Sequence, residues 1–150
     1  MTEMSRHELT LERTFDAPRD LVWRCHTEPE HLAKWWGPKG FHTPLDKIKV
    51  ELQPGGAYHL TMVDEDGNEY PAEMTIREVR APEFLAFGWD GQRGLGGGEI
   101  TVELFDEGDK TRLVSVFAGD STPEIMAGME EGTNQQLDKL EALLAEAQSR

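Results

Sequence analysis

Five histidines, one cysteine and a scatter of carboxylates are the residues that could carry chemistry, and their spacing argues against most of it. The histidines are His7, His26, His31, His42 and His59. No two have close metal-ligand spacing, and Pro29 with a predicted helix break separates His26 from His31. No metal and no other cofactor is expected. Cys25 and His26 are neighbours on a predicted helix. Adjacent helical residues point about 100° apart, which makes a poor thiolate–imidazole dyad. Cys25 reads as a small core residue. Tyr58 and His59 fall on opposite faces of a predicted strand, so at most one looks inward. His59 is the acid–base candidate if a bound substrate is turned over. Asp64, Asp66, Glu99, Glu103 and Asp106 fall in turns or on wet strand faces, and Asp64-x-Asp66-Gly67 lacks the rest of a calcium loop. The glycines at 94, 96, 97 and 98 miss the G-x-G-x-x-G pattern, because Glu99 and then a strand follow them. That stretch reads as a mobile loop near a pocket rim.

What remains is apolar and aromatic. Trp36, Phe41, Tyr58, Met74, Phe87, Trp89 and Phe117 come from the part of the chain before its last helix. Met129, Thr133 and Gln136 come from its last helix. Together they suit a ligand cavity, which is mostly hydrophobic with a few polar groups for orientation. The competing reading is a solid core. In "LAKWWGPKGF", at least one of Trp35 and Trp36 should pack at a seam, because Trp is mostly buried. The other would line the cavity mouth, with Phe41 as part of a gate.

Elements that could hold these side chains follow from periodicity. "LTLERTF" alternates Leu9, Leu11 and Phe15 against polar residues, which predicts a strand with one wet face. "DAPRDLVWRCHT" predicts a helix with Pro18 in its first turn and Asp16 able to cap it. "TEPEHLAKWWG" predicts a second helix, with Thr27 and Glu30 at capping-box spacing. Six short alternating strands follow, joined by hairpin-sized turns such as Asp66-Gly67, which indicates an antiparallel sheet. The chain ends in a long helix with Ile125, Met129, Thr133, Leu137, Leu140 and Leu144 on one stripe. Its second half is leucine; its first half turns small and polar through Gly132, Thr133 and Gln136. That break suggests something other than packed side chains beneath it.

Composition narrows the partners. The 150 residues predict one domain spanning 1–150, and 37% hydrophobic content is ordinary for a protein in water. A net charge of −14 repels phosphate backbones and anionic lipid heads, so neither nucleic acid nor a membrane is an expected partner. One cysteine and no hydrophobic leader point to the cytoplasm.

Four stretches carry a resemblance. "FDAPRDLVWRCHTEPEHLAKWWGP" holds Pro-x-x-x-Val-Trp and Trp-Trp-Gly-Pro elements. "LQPGGAYHLTM" holds a Pro-Gly-Gly turn and an aromatic. "DGNEYPAEMTIREVRAPEFLAF" holds paired strands around a short Pro turn, and "GDKTRLVSVFAG" a last strand. In this order they resemble the activator of heat-shock protein 90 ATPase homologues within the START-like (SRPBCC, helix-grip) superfamily. The resemblance implies an α+β helix-grip fold like that of the birch-pollen allergen: a curved antiparallel sheet of about seven strands around a long C-terminal helix, with two short helices after strand one. The family's last helix usually carries a Gly-Trp pair; here Gly132 is followed by Thr133, which implies a larger or more polar pocket. The function it implies is binding of a small hydrophobic or aromatic ligand between sheet and last helix. A co-chaperone-like interaction module and a cyclase- or hydrolase-like enzyme acting on a polyketide-like substrate are the alternatives. A homodimer is left open, and a chaperone partner ranks last.

Overall fold

The computed structural model describes residues 5–90 and 97–148. Strand β1 (Ser5–Phe15) leads into α1 (Arg19–Thr27) and α2 (Pro29–Trp35). A short 3₁₀ turn (Leu45–Lys47) precedes strands β2 (Ile48–Val50), β3 (Ala57–Val63), β4 (Glu69–Arg80), β5 (Phe84–Trp89), β6 (Gly98–Glu107) and β7 (Lys110–Ser121). Helix α3 (Pro123–Gln148) ends the described chain. The seven strands form one antiparallel sheet in the order β1-β7-β6-β5-β4-β3-β2. The α1–α2 segment therefore carries the chain from one edge of the sheet to the other. The expected seven-stranded α+β helix-grip architecture is present.

Period-two alternation sets the inner face. Leu9 lies opposite Phe117, Phe117 opposite Ile100, and Ile100 opposite Phe87, so one row of apolar side chains crosses four strands. The next inward row holds Leu11, Ser115, Val102 and Leu85. Beyond the first row, Gly98 pairs with Gly119 and with Trp89. A β-carbon on Gly98 would sit 2.7 Å from the Trp89 ring and 2.9 Å from the Phe117 ring. The bare backbone there lets these two rings stack over the sheet, centroids 5.8 Å apart.

The helices begin differently from the capping patterns. Pro18 is the residue before α1 and supplies no side-chain cap. Thr27 still belongs to α1, and its hydroxyl donates to the Trp23 carbonyl at 3.0 Å, so the Thr27–Glu30 capping box does not form. Glu28 alone joins the two helices, extended at φ −100°. On α3, Leu137, Leu140 and Leu144 are buried against the sheet. Each contributes roughly 1.5–3 kcal/mol by leaving water.

Candidate functional site

The first half of α3 does not close on the sheet as the leucine half does. Between them lies a cavity of about 140 Å³. Its floor draws on the two inward rows and on Leu113 beyond them: Leu9 and Leu11 from β1, Phe87 from β5, Ile100 and Val102 from β6, and Leu113, Ser115 and Phe117 from β7. Its roof is Met129, Thr133, Gln136 and Leu137 of α3, and its end wall is His26, Trp35 and Trp36. None of these residues is an Asp, Glu, Lys or Arg.

The end wall is held by backbone hydrogen bonds and ring contacts. Trp35 is buried, and its Nε1–H donates to the Cys25 carbonyl at 2.8 Å. Its ring meets His26 edge-on at 4.9 Å and Trp36 at 5.6 Å. Trp36 in turn meets Tyr58 at 6.1 Å, and Tyr58 stacks on Phe87 at 4.4 Å. Aromatic pairs at these spacings add to the area they bury. Trp35 and Trp36 thus both serve packing and cavity at once.

The loop after Trp36 is clamped by α3. The Gly37 N–H donates to Gln136 Oε1 at 2.6 Å, and the Lys39 N–H to Gln135 Oε1 at 3.0 Å. Lys139 Nζ donates to the carbonyls of Pro38 and Phe41, at 3.2 and 3.0 Å. Gly37 needs its missing side chain, since its φ is 107°.

Burial controls the titratable groups near the cavity. His26 lies beside the Val22 carbonyl, Nδ1 to oxygen 2.9 Å, one helical turn back. Burial disfavours the imidazolium and lowers its pKa to about 4, against a smaller opposing pull from the Val22 carbonyl. Burial also pushes the Cys25 thiol up to about 11 and the Tyr58 phenol well above its ordinary range. Neither group is set up as a nucleophile or base. Among the described residues, no three His, Cys, Asp or Glu side chains come together as a metal site.

Of the ten residues expected to line a pocket, Trp36, Phe87, Phe117, Met129, Thr133 and Gln136 do line this cavity. Four do not. Tyr58 is fully buried between Trp36 and Phe87, and its hydroxyl donates to the His26 carbonyl at 2.6 Å. Met74 is paired with Tyr58 across the sheet and is packed in the same core. Phe41, at the end of the clamped loop, packs edge-on to Tyr70 at 5.6 Å. Trp89 is a neighbour of the cavity through its stacking on Phe117, but the Phe117 ring stands at the boundary. His59 alternates with buried Tyr58 and so takes the outer face of β3, away from the cavity. Of the loop read as a mobile rim, residues 91–96 lie outside the described residues.

Several lining residues were missed. Nothing in the spacing of His26 marks it as a lining residue. Leu9 and Leu11 were visible as an inward pair, but alternation does not say whether an inward side chain meets atoms or a void. Ser115 was findable: it is the one hydroxyl between Leu113 and Phe117 on the inward face of β7.

Comparison with known proteins agrees with this architecture. The family described as "Activator of Hsp90 ATPase homolog 1-like protein" matches residues 16–145. No curated protein matches the sequence significantly. Among solved structures, protein NE0264 from Nitrosomonas europaea is 29% identical, with a TM-score of 0.81 over 95% of this chain and 97% of that one. Protein CV1439 from Chromobacterium violaceum is 25% identical, with a TM-score of 0.80 over 91% and 96%. The AHSA1 protein SPO3351 from Silicibacter pomeroyi is 25% identical, with a TM-score of 0.75 over 93% and 98%.

Proposed function

The chain belongs to the activator of Hsp90 ATPase homolog 1-like family, and from that premise we propose that it binds a small hydrophobic or aromatic molecule in the cavity under the first half of α3. The observation that carries this reading is the cavity itself, apolar on its floor apart from Ser115 and free of charged side chains. An apolar cavity of about 150 Å³ can hold a benzene molecule. A site of about 140 Å³ is therefore the size of a single six-membered ring.

The cytoplasm is the compartment we propose, on the strength of a single, buried, unpaired cysteine. No helix among the described residues is long and apolar enough to cross a membrane. The co-chaperone and enzymatic alternatives draw less support. The first rests on the family's name, and the second loses its acid–base candidate with His59 on the outer face of the sheet.

A panel of one-ring and two-ring hydrophobic compounds, followed by thermal unfolding, tests the reading. At a free concentration of a hundred times its dissociation constant, a ligand stabilises by roughly 2.7 kcal/mol. If no compound on the panel shifts the transition, the binding reading is wrong.

A further inference from the structure

We propose that the cavity takes an uncharged, one-ring molecule bearing a hydroxyl group, and that His26 Nε2 accepts the hydrogen bond from that hydroxyl. The proposal rests on the ligand-binding reading above and specifies the chemistry of the ligand.

Two polar groups in the lining have their orientations set by the backbone. The Val22 carbonyl can only accept, so the His26 Nδ1 beside it carries the hydrogen. In a neutral imidazole the other nitrogen then has a lone pair and no hydrogen. Among the described residues no protein group donates to His26 Nε2. It is nevertheless absent from the polar atoms that are both sealed off and unpartnered. His26 is only 4% exposed and lines the cavity, so that nitrogen opens onto the cavity. Gln136 is fixed the opposite way. Its Oε1 accepts the Gly37 N–H, which leaves its amide hydrogens as donors without a described protein partner.

The lining thus offers one oriented acceptor and one oriented donor. A hydroxyl can donate to His26 Nε2 and keeps lone pairs for a donor such as the Gln136 amide. A pure hydrocarbon leaves the buried His26 nitrogen unanswered, and a buried polar group without a partner is costly. Charge is excluded for a separate reason. No ionised side chain lines the cavity, so an anion or cation would lose its hydration with nothing to replace it. Burial keeps His26 neutral at pH 7, which removes the remaining candidate counter-ion for an acid.

Phenol, toluene and benzoate separate these possibilities, since they share a ring and differ in one substituent. Binding to the full chain at pH 7 is measured by calorimetry, and the His26 ring nitrogens are followed by ¹⁵N NMR. Phenol should bind severalfold to about tenfold more tightly than toluene, the worth of one net hydrogen bond. Benzoate should bind at least about tenfold more weakly than phenol, as expected for an unpaired charge. The Nε2 resonance should move with phenol and stay in place with toluene. His26→Phe keeps a ring and removes the acceptor, so phenol should fall to the level of toluene. If toluene matches or exceeds phenol and Nε2 does not respond, the proposal is overturned while the cavity still binds a ring. Benzoate binding as tightly as phenol overturns the exclusion of charge. Failure of both neutral rings to bind overturns this proposal together with the reading beneath it. The NMR measurement on the unaltered protein decides the matter even if His26→Phe does not fold.

Discussion

The side-chain carbonyl of Gln136 accepts the backbone N–H of Gly37 at 2.6 Å, across 99 positions of sequence. Gly37 is buried, so no water stands ready to replace that acceptor. The bond joins α3 to the loop that follows the paired tryptophans, and it does so at the roof of the cavity. Gln136→Leu should therefore destabilise by about 1–3 kcal/mol, the cost of leaving a buried N–H unmet. Urea unfolding measures this. An unchanged slope with a lower midpoint is expected, and no loss of stability would mean that the loop finds another partner.

Thr133 borders the cavity directly. Thr133→Trp should place an indole in the empty space and bury apolar area worth a few kcal/mol, at roughly 25 cal/mol per Å². Stability should hold or rise, and ring-sized ligands should no longer shift the melting temperature. A loss of roughly 1–3 kcal/mol would instead be the signature of an overfilled site.

Glycines in α3 and in the sheet should respond with opposite signs. A β-carbon on Gly128 meets nothing within 4 Å, and one on Gly132 meets Pro38 at an ordinary 3.5 Å. Gly128→Ala and Gly132→Ala should each stabilise by roughly 0.5–1 kcal/mol, because glycine is a poor helix former. Gly98→Ala should cost roughly 1–3 kcal/mol, because the rings of Trp89 and Phe117 must move off the sheet. Thermal melts of the three variants give the comparison.

His26 predicts a specific loss of stability in acid. Its pKa is about 4 when folded, against an ordinary value of 6.5 in the unfolded chain. Between those values the unfolded state holds the extra proton, so stability falls as pH drops from about 6.5 to about 4. Below that window both states are protonated and the loss is complete, on the order of 3 kcal/mol. Above pH 6.5 the group has no effect on the pH profile. Subtracting the profile of His26→Phe from that of the unaltered protein isolates this contribution from the carboxylates. A flat difference between pH 4 and 6.5 would show that the imidazolium is accommodated in the folded state.

Strand and helix identities were legible from local pattern. The alternation of Ile100, Val102 and Leu104 requires only that neighbouring strand residues face opposite ways, which is a property of the backbone itself. The same holds for the spacing of Leu137, Leu140 and Leu144 on α3. The sequence by itself therefore determined the element order, the inward faces and the family resemblance, along with an anomaly at Gly132 to Gln136. It could not say what that anomaly was for. Gln135, Gln136 and Lys139 are polar because they bind the backbone of residues 37–41, and Thr133 is small because it roofs a void. Tyr58 and Trp36 looked equivalent as inward aromatics, yet one is sealed by Phe87 and the other borders the cavity. His26 carried no signal, since its orientation comes from a carbonyl one turn away and from Trp35 packed against it. These outcomes rest on atoms brought together from distant parts of the chain. Local periodicity says which way a side chain points; only the tertiary fold decides whether it meets another side chain or an empty space.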